Sequence, residues 1–159
     1  MVYLGKLNAV FRITFLIVPI WIVILGMPVL TKASTEQVKE NELKNLKAKA
    51  HQVISLQIDA FQKSDMKAAY TFASPFIKSK FSSAEIFGKM VREGYPMIWS
   101  AKDYKFLEFT FFEGALIQRV LFMDSKERIY VFDYELRQYK SDTWLINGVF
   151  PVRSQNSGA

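Results

Sequence analysis

The chain has 159 residues, half of them hydrophobic, 23% charged and 15% aromatic, with seven Gly and five Pro; this describes one folded domain and excludes a disordered chain. With no Cys and a single His, it has no disulfide, no thiolate nucleophile, and neither a thiolate nor a His-rich metal site. The formal net charge is +6, but Lys and Arg are interspersed with acids and no basic run alternates with aromatics, so nucleic acid is not an expected partner.

Before Ser34 stand Lys6, Arg12 and Lys32 and no acid, and residues 13–30, ITFLIVPIWIVILGMPVL, carry no charge. Those 18 residues at a helical rise of about 1.5 Å reach about 27 Å, just the thickness of a bilayer's hydrocarbon core. Residues 1–33 are therefore expected to be either a cleaved signal peptide or a retained anchor that crosses the membrane through residues 13–30. Thr31-Lys32-Ala33 places small residues at the two positions a signal peptidase reads. Both readings export the remainder, as a periplasmic domain or as a membrane-anchored one facing the periplasm. That remainder is milder in charge, with 18 Lys and Arg against 15 Asp and Glu.

Residues 34–49 are polar and mixed in charge, a solvated helical spacer with Glu40 and Lys44 at the favourable i, i+4 spacing. Beyond it Leu46, Ala50, Val53, Ile54, Gln57, Ile58 and Phe61 recur at steps of three and four, which predicts a long helix from about Glu36 to Lys63 with one stripe in a core. Ser64-Asp65 reads as a break and a new N-cap, and Ser74-Pro75 as another helix start. Ser82 and Glu85 are spaced as a capping box, Gly94 suits a left-handed C-cap, and Pro96 is expected to stop the helix from resuming.

After Asp103 the period changes to two. Residues 104–113, 116–124, 128–139 and 144–152 are predicted as strands joined by short antiparallel links. Tyr130, Phe132, Tyr134 and Leu136 should share the inner face, with Leu107, Phe109, Phe111, Trp144, Ile146 and Phe150 also inward. Helices followed by a meander give an α+β fold, a curled four-stranded antiparallel sheet packed on a long N-terminal helix and short helices. Residues 154–159 form a polar tail.

The pattern F-ASP-F from Phe72 to Phe76, the run F-x-x-MVREGYP from Phe87 to Pro96, the strand YVFDYEL and the ending W-x-I-x-G at Trp144 resemble a family known as domain of unknown function 4864. That family resembles the nuclear-transport-factor-2-like superfamily, in which a sheet curls into a cone around a long helix; enzymes of the ketosteroid isomerase and dehydratase type occur there beside noncatalytic binding domains. The resemblance implies a cone-type domain over residues 50–153 and the position of a pocket, but no reaction and no catalytic residues.

Within such a cone Asp59, Tyr70, Tyr95, Trp99, Tyr130, Tyr134 and Trp144 are the candidate pocket residues. An isomerase would need a carboxylate base in an apolar pocket and a second acid or Tyr for the oxyanion, which Asp59 with Tyr70 or Tyr95 could supply; the plainer reading points Asp59 to solvent. His51 is expected to be a partly exposed helix residue rather than a base. No metal is expected, since Asp133 and Glu135 share a strand face with Arg137, and no cofactor, since Gly88 and Gly94 lack the strand-turn-helix context of a phosphate loop. On the outer sheet face Phe112, Ile117, Leu121 and Val131 are candidates for a homodimer interface, unless a terminal tail covers them. The expected function is a noncatalytic binding module for a small apolar ligand or an envelope protein. The alternatives are a small isomerase- or dehydratase-type enzyme and a membrane-tethered accessory subunit.

Overall fold

A computed structural model describes residues 28–153. The signal or anchor reading of residues 1–33 falls almost wholly outside that range, as does the tail at 154–159. Among the described residues no helix is long and apolar enough to cross a membrane. The chain divides into two units, Met1–Gln37 and Val38–Ala159, and the packing below is that of the second.

Helix α1 (Pro28–Gln62) already includes the first described residue, ahead of the expected start near Glu36. Residues 35–45 are exposed, as a polar spacer should be. From there Ala50, Ile54, Gln57, Ile58 and Phe61 form the buried stripe. The helix ends where Asp65 N–H donates to the Ala60 carbonyl at 2.8 Å and Ser64 N–H to that of Phe61 at 2.9 Å. Ser64 takes the left-handed conformation at φ 57°, the usual geometry of a Schellman stop.

Three short helices and a final turn follow, each with its own start signal. In α2 (Met66–Thr71) the Asp65 carboxylate accepts from Ala68 N–H, and in α3 (Pro75–Lys80) Ser74 Oγ accepts from Ile77 N–H. The cap of α4 (Ala84–Gly94) is Ser83, not Ser82, so no Ser82–Glu85 capping box forms. Gly94 is the last helical residue and has no positive φ; Tyr95 is the C-cap. Pro96 does not end the helical run either, because it starts the single turn α5 (Pro96–Trp99) in the position that tolerates proline.

Strands β1 (Asp103–Phe112), β2 (Ala115–Met123), β3 (Ile129–Tyr139) and β4 (Thr143–Pro151) form an open antiparallel sheet in sequence order. The fold is thus α+β. Glu113-Gly114 makes a two-residue hairpin with both φ positive, the twist-matched type I′ form that favours glycine. At the next turn the Asp124 carboxylate accepts from the backbone N–H groups of Lys126 and Arg128 and from the Arg128 guanidinium.

Two bulges break the alternation. One lies between Phe106 and Phe109, so Tyr104, Phe106 and Phe109 pair with inward-facing Phe122, Val120 and Gln118 while Leu107 is left exposed. Phe111 does share the face of buried Leu116 but is half exposed beside the hairpin. The other bulge sits at Asn147, because Leu136 pairs with Ile146 and Glu135 with Gly148. It turns Val149 toward the face of Tyr134 and puts Phe150 opposite Asp133, outward, against the expected inward position. The edge of β4 is covered by the α2–α3 link: Ser74 N–H donates to the Ile146 carbonyl and Ile146 N–H to that of Phe72.

The α2–α4 packing rests on one missing side chain. A Cβ at Gly88 would lie 2.6 Å from Met66 Cγ. Gly88→Ala, which in an open helix gains about 1 kcal/mol, should here cost about 1–3 kcal/mol by overpacking. In a Met66→Ala background the cost should vanish, and urea unfolding of the double-mutant cycle measures it.

Candidate functional site

A cavity of about 280 Å³ opens between the helices and the far end of the sheet. Gln57 and Phe61 of α1 form its floor, while Phe87, Met90 and Val91 of α4, with Tyr95 and Ile98, form one wall. The opposite wall is Tyr134 of β3 and residues 146–150 of β4, and α3 closes the side with Phe76, Ile77 and the adjoining Phe81. Phe76 and Phe150 line the cavity yet are more than half exposed, which places them at its mouth. Phe150 can fold there because Gly148 has no Cβ; one would sit 2.5 Å from the ring.

Among the described residues no charged side chain lines this space. Its polar groups are the Gln57 amide, the Tyr95 and Tyr134 hydroxyls and Asn147. Asn147 is engaged at both amide atoms: its Oδ1 accepts from the Ser74 and Tyr139 hydroxyls and its Nδ2 donates to Glu135. Gln57 donates through Nε2 to the Ala69 carbonyl at 3.2 Å. Tyr134 is 1% exposed, and its hydroxyl has no protein hydrogen-bond partner among the described residues. Burial pushes its phenol far above the ordinary value, with Tyr104 and Tyr95 acting in the same direction, so it stays protonated.

Of the seven residues expected to line a pocket, the fold brings Tyr95 and Tyr134 to this one. Tyr70 spends its hydroxyl on the Phe81 carbonyl at 2.5 Å, which ties down the end of α3. Trp99 packs beside Phe61 and under the Arg92 guanidinium. Tyr130 bonds Asp124 at the β2–β3 turn, and Trp144 is buried elsewhere with an indole N–H that meets no partner among the described residues. Asp59 is half-buried, does not line the cavity, and its carboxylate bonds no tyrosine hydroxyl among the described residues. The liners missed from the sequence, such as Phe87, Val91 and Ile98, look like ordinary core residues; Gln57, a polar residue inside an apolar stripe, was the one visible signal.

The outer-face candidates do share a face. Leu121 pairs with Val131, Ile117 with Thr110 and Glu135, and Phe112 with Ala115. Between them Arg119 grips Asp133 through two hydrogen bonds of 2.8 and 3.0 Å. No group of three or more His, Asp or Glu among the described residues is placed to hold a metal ion.

His51 lies on α1 away from the cavity, stacked on Phe106 with ring centroids 3.8 Å apart. Gln118 Nε2 donates to the carbonyls of Leu107, Glu108 and Arg119, so its Oε1 must accept from His51 Nε2–H at 3.0 Å. That bond assigns the neutral ring its proton on Nε2 and leaves Nδ1 bare.

A family model described as domain of unknown function (DUF4864) matches residues 43–159. No curated protein and no solved structure matches the chain.

Burial lowers the His51 pKa, Lys47 lowers it further, and the bond to Gln118 only partly offsets them. As pH falls through the unfolded value of about 6.5, the unfolded chain takes up a proton that the folded one refuses, so stability should drop between about pH 7 and the folded pKa. His51→Gln should flatten that slope in thermal unfolding measured from pH 7.5 to 5.

Proposed function

The chain belongs to this domain-of-unknown-function family, which prescribes no reaction, and on that premise we propose that the domain is a noncatalytic binding module for a small apolar molecule held in the α1–α4–β4 cavity. The observation that carries the reading is a half-open apolar cavity with an aromatic mouth and no charged lining residue among the described residues. An apolar cavity of about 150 Å³ holds benzene, so about 280 Å³ suits a molecule of one or two rings. Among the described residues the titratable liners are Tyr95 and Tyr134, and Asp59, the carboxylate an isomerase would require, is not one of them; this favours binding over catalysis. A relationship to the nuclear-transport-factor-2-like superfamily is supported by the open sheet packed on one long helix. The uncharged run at residues 13–30 behind Lys6 and Arg12 supports export to the periplasmic side of the membrane.

With full-length protein, indole or toluene at about 100 times its dissociation constant should raise unfolding stability by about 2.7 kcal/mol. Met90→Trp, which fills the cavity, should abolish the shift. No shift with any one- or two-ring compound, or an undiminished shift in folded Met90→Trp, overturns the reading. Export is tested by intact mass in fractionated cells: a chain starting at Ser34 indicates cleavage, a full-length chain in membranes indicates an anchor, and recovery in the cytosol overturns export.

A further inference from the structure

Inside the cavity two buried polar groups have spare capacity. Tyr134 is 1% and Gln57 3% exposed, and both line the same space from opposite sides, one from β3 and one from α1. Gln57 has committed its Nε2 to the Ala69 carbonyl, so its Oε1 remains an acceptor without a protein partner among the described residues. The Tyr134 hydroxyl, likewise unpartnered there, can donate or accept. Among the described residues the fully buried side-chain N or O without a partner is Trp144 Nε1, so these two atoms keep some accessible surface toward the cavity. A ligand that displaces water there without replacing its hydrogen bonds loses affinity. Both groups are neutral, and among the described residues no Lys, Arg, His, Asp or Glu stands on the cavity wall to balance an ionised ligand.

Resting on the cavity being a binding site, we infer that its ligand is an uncharged, hydroxyl-bearing apolar molecule whose polar head bonds the Tyr134 hydroxyl and Gln57 Oε1. A head group of that kind replaces the hydrogen bonds of any water it displaces, which a purely hydrocarbon ligand cannot do. A carboxylate of the same size would be buried without a counter-charge. The tyrosine sets head-group selectivity, and the phenylalanines around it supply the apolar contact.

The test compares benzyl alcohol, its isostere ethylbenzene, and benzoate by NMR titration of the full-length protein and of Tyr134→Phe. Removing an unpartnered hydroxyl should leave the melting temperature unchanged. The variant should weaken benzyl alcohol about tenfold, the loss of one buried hydrogen bond, and leave ethylbenzene within about twofold. Benzoate should not bind at pH 7. If the variant changes both neutral ligands alike, or benzoate binds as well as benzyl alcohol, the head-group inference falls while the cavity reading stands. If none of the three binds the wild-type chain, both fall. Should Tyr134→Phe fail to fold, Gln57→Met provides the same comparison, and selective weakening of benzyl alcohol is again the supporting result.

Discussion

A buried amide governs how the helix meets the sheet. Gln118, fully buried on β2, shares its two amide hydrogens, one of them bifurcated, among the carbonyls of Leu107, Glu108 and Arg119, the first two of which belong to the β1 bulge. An extra residue in a strand leaves backbone groups without ladder partners, and buried ones are costly unless something else bonds them. With the bulge satisfied, β1 turns Tyr104, Phe106 and Phe109 inward. Phe106 then becomes the surface on which His51 stacks, and His51 closes the arrangement by donating to the same Gln118. One amide therefore sets the phase of β1 and part of the seat of α1.

The cavity has a comparable origin at the other end of the sheet. The β4 bulge at Asn147 faces α3, where Ser74 both caps the helix and bonds Asn147 Oδ1. That side chain also takes the Tyr139 hydroxyl and reaches Glu135, so the irregular strand is held from three directions. The bulge turns Val149 into the cavity and leaves Phe150 at the mouth. Across the space, α4 comes close to α2 because Gly88 has no side chain, while Tyr95 and α5 bend the chain along the cavity wall. Short helices with individual caps can take such angles, whereas one long helix would fill the space with a single straight face.

Much of the fold is legible in the residues because its signals are local. Period-two alternation locates all four strands to within a residue or two, and Asp65 and Ser74 announce their helices through a carboxylate and a hydroxyl that need no distant partner. What escapes is what depends on partners far along the chain. Leu107 and Phe150 continue an alternating pattern, yet bulges stabilised by Gln118, Asn147 and Ser74 reverse their faces. Ser82 and Ser83 are chemically alike, and Gly94 looks like a left-handed cap although the chain turns at Tyr95 instead. The site was the least legible part: an apolar residue beside a void and one inside a solid core have the same sequence pattern, so Phe87, Val91 and Ile98 gave no warning. The tyrosines were visible but not distinguishable, since Tyr70 and Tyr130 satisfy structural acceptors while Tyr134 satisfies none among the described residues.

The link between α2 and α3 has an effect beyond the molecule's own fold. An exposed strand edge is a template on which another chain can add and polymerise. Here Ile146 gives both its N–H and its carbonyl to Phe72 and Ser74, Asn147 is displaced into a bulge, and Pro151 has no N–H to offer. A foreign strand therefore finds no continuous ladder along β4, and the contacts that frame the cavity also keep sheets of neighbouring molecules from fusing into a fibril through that margin.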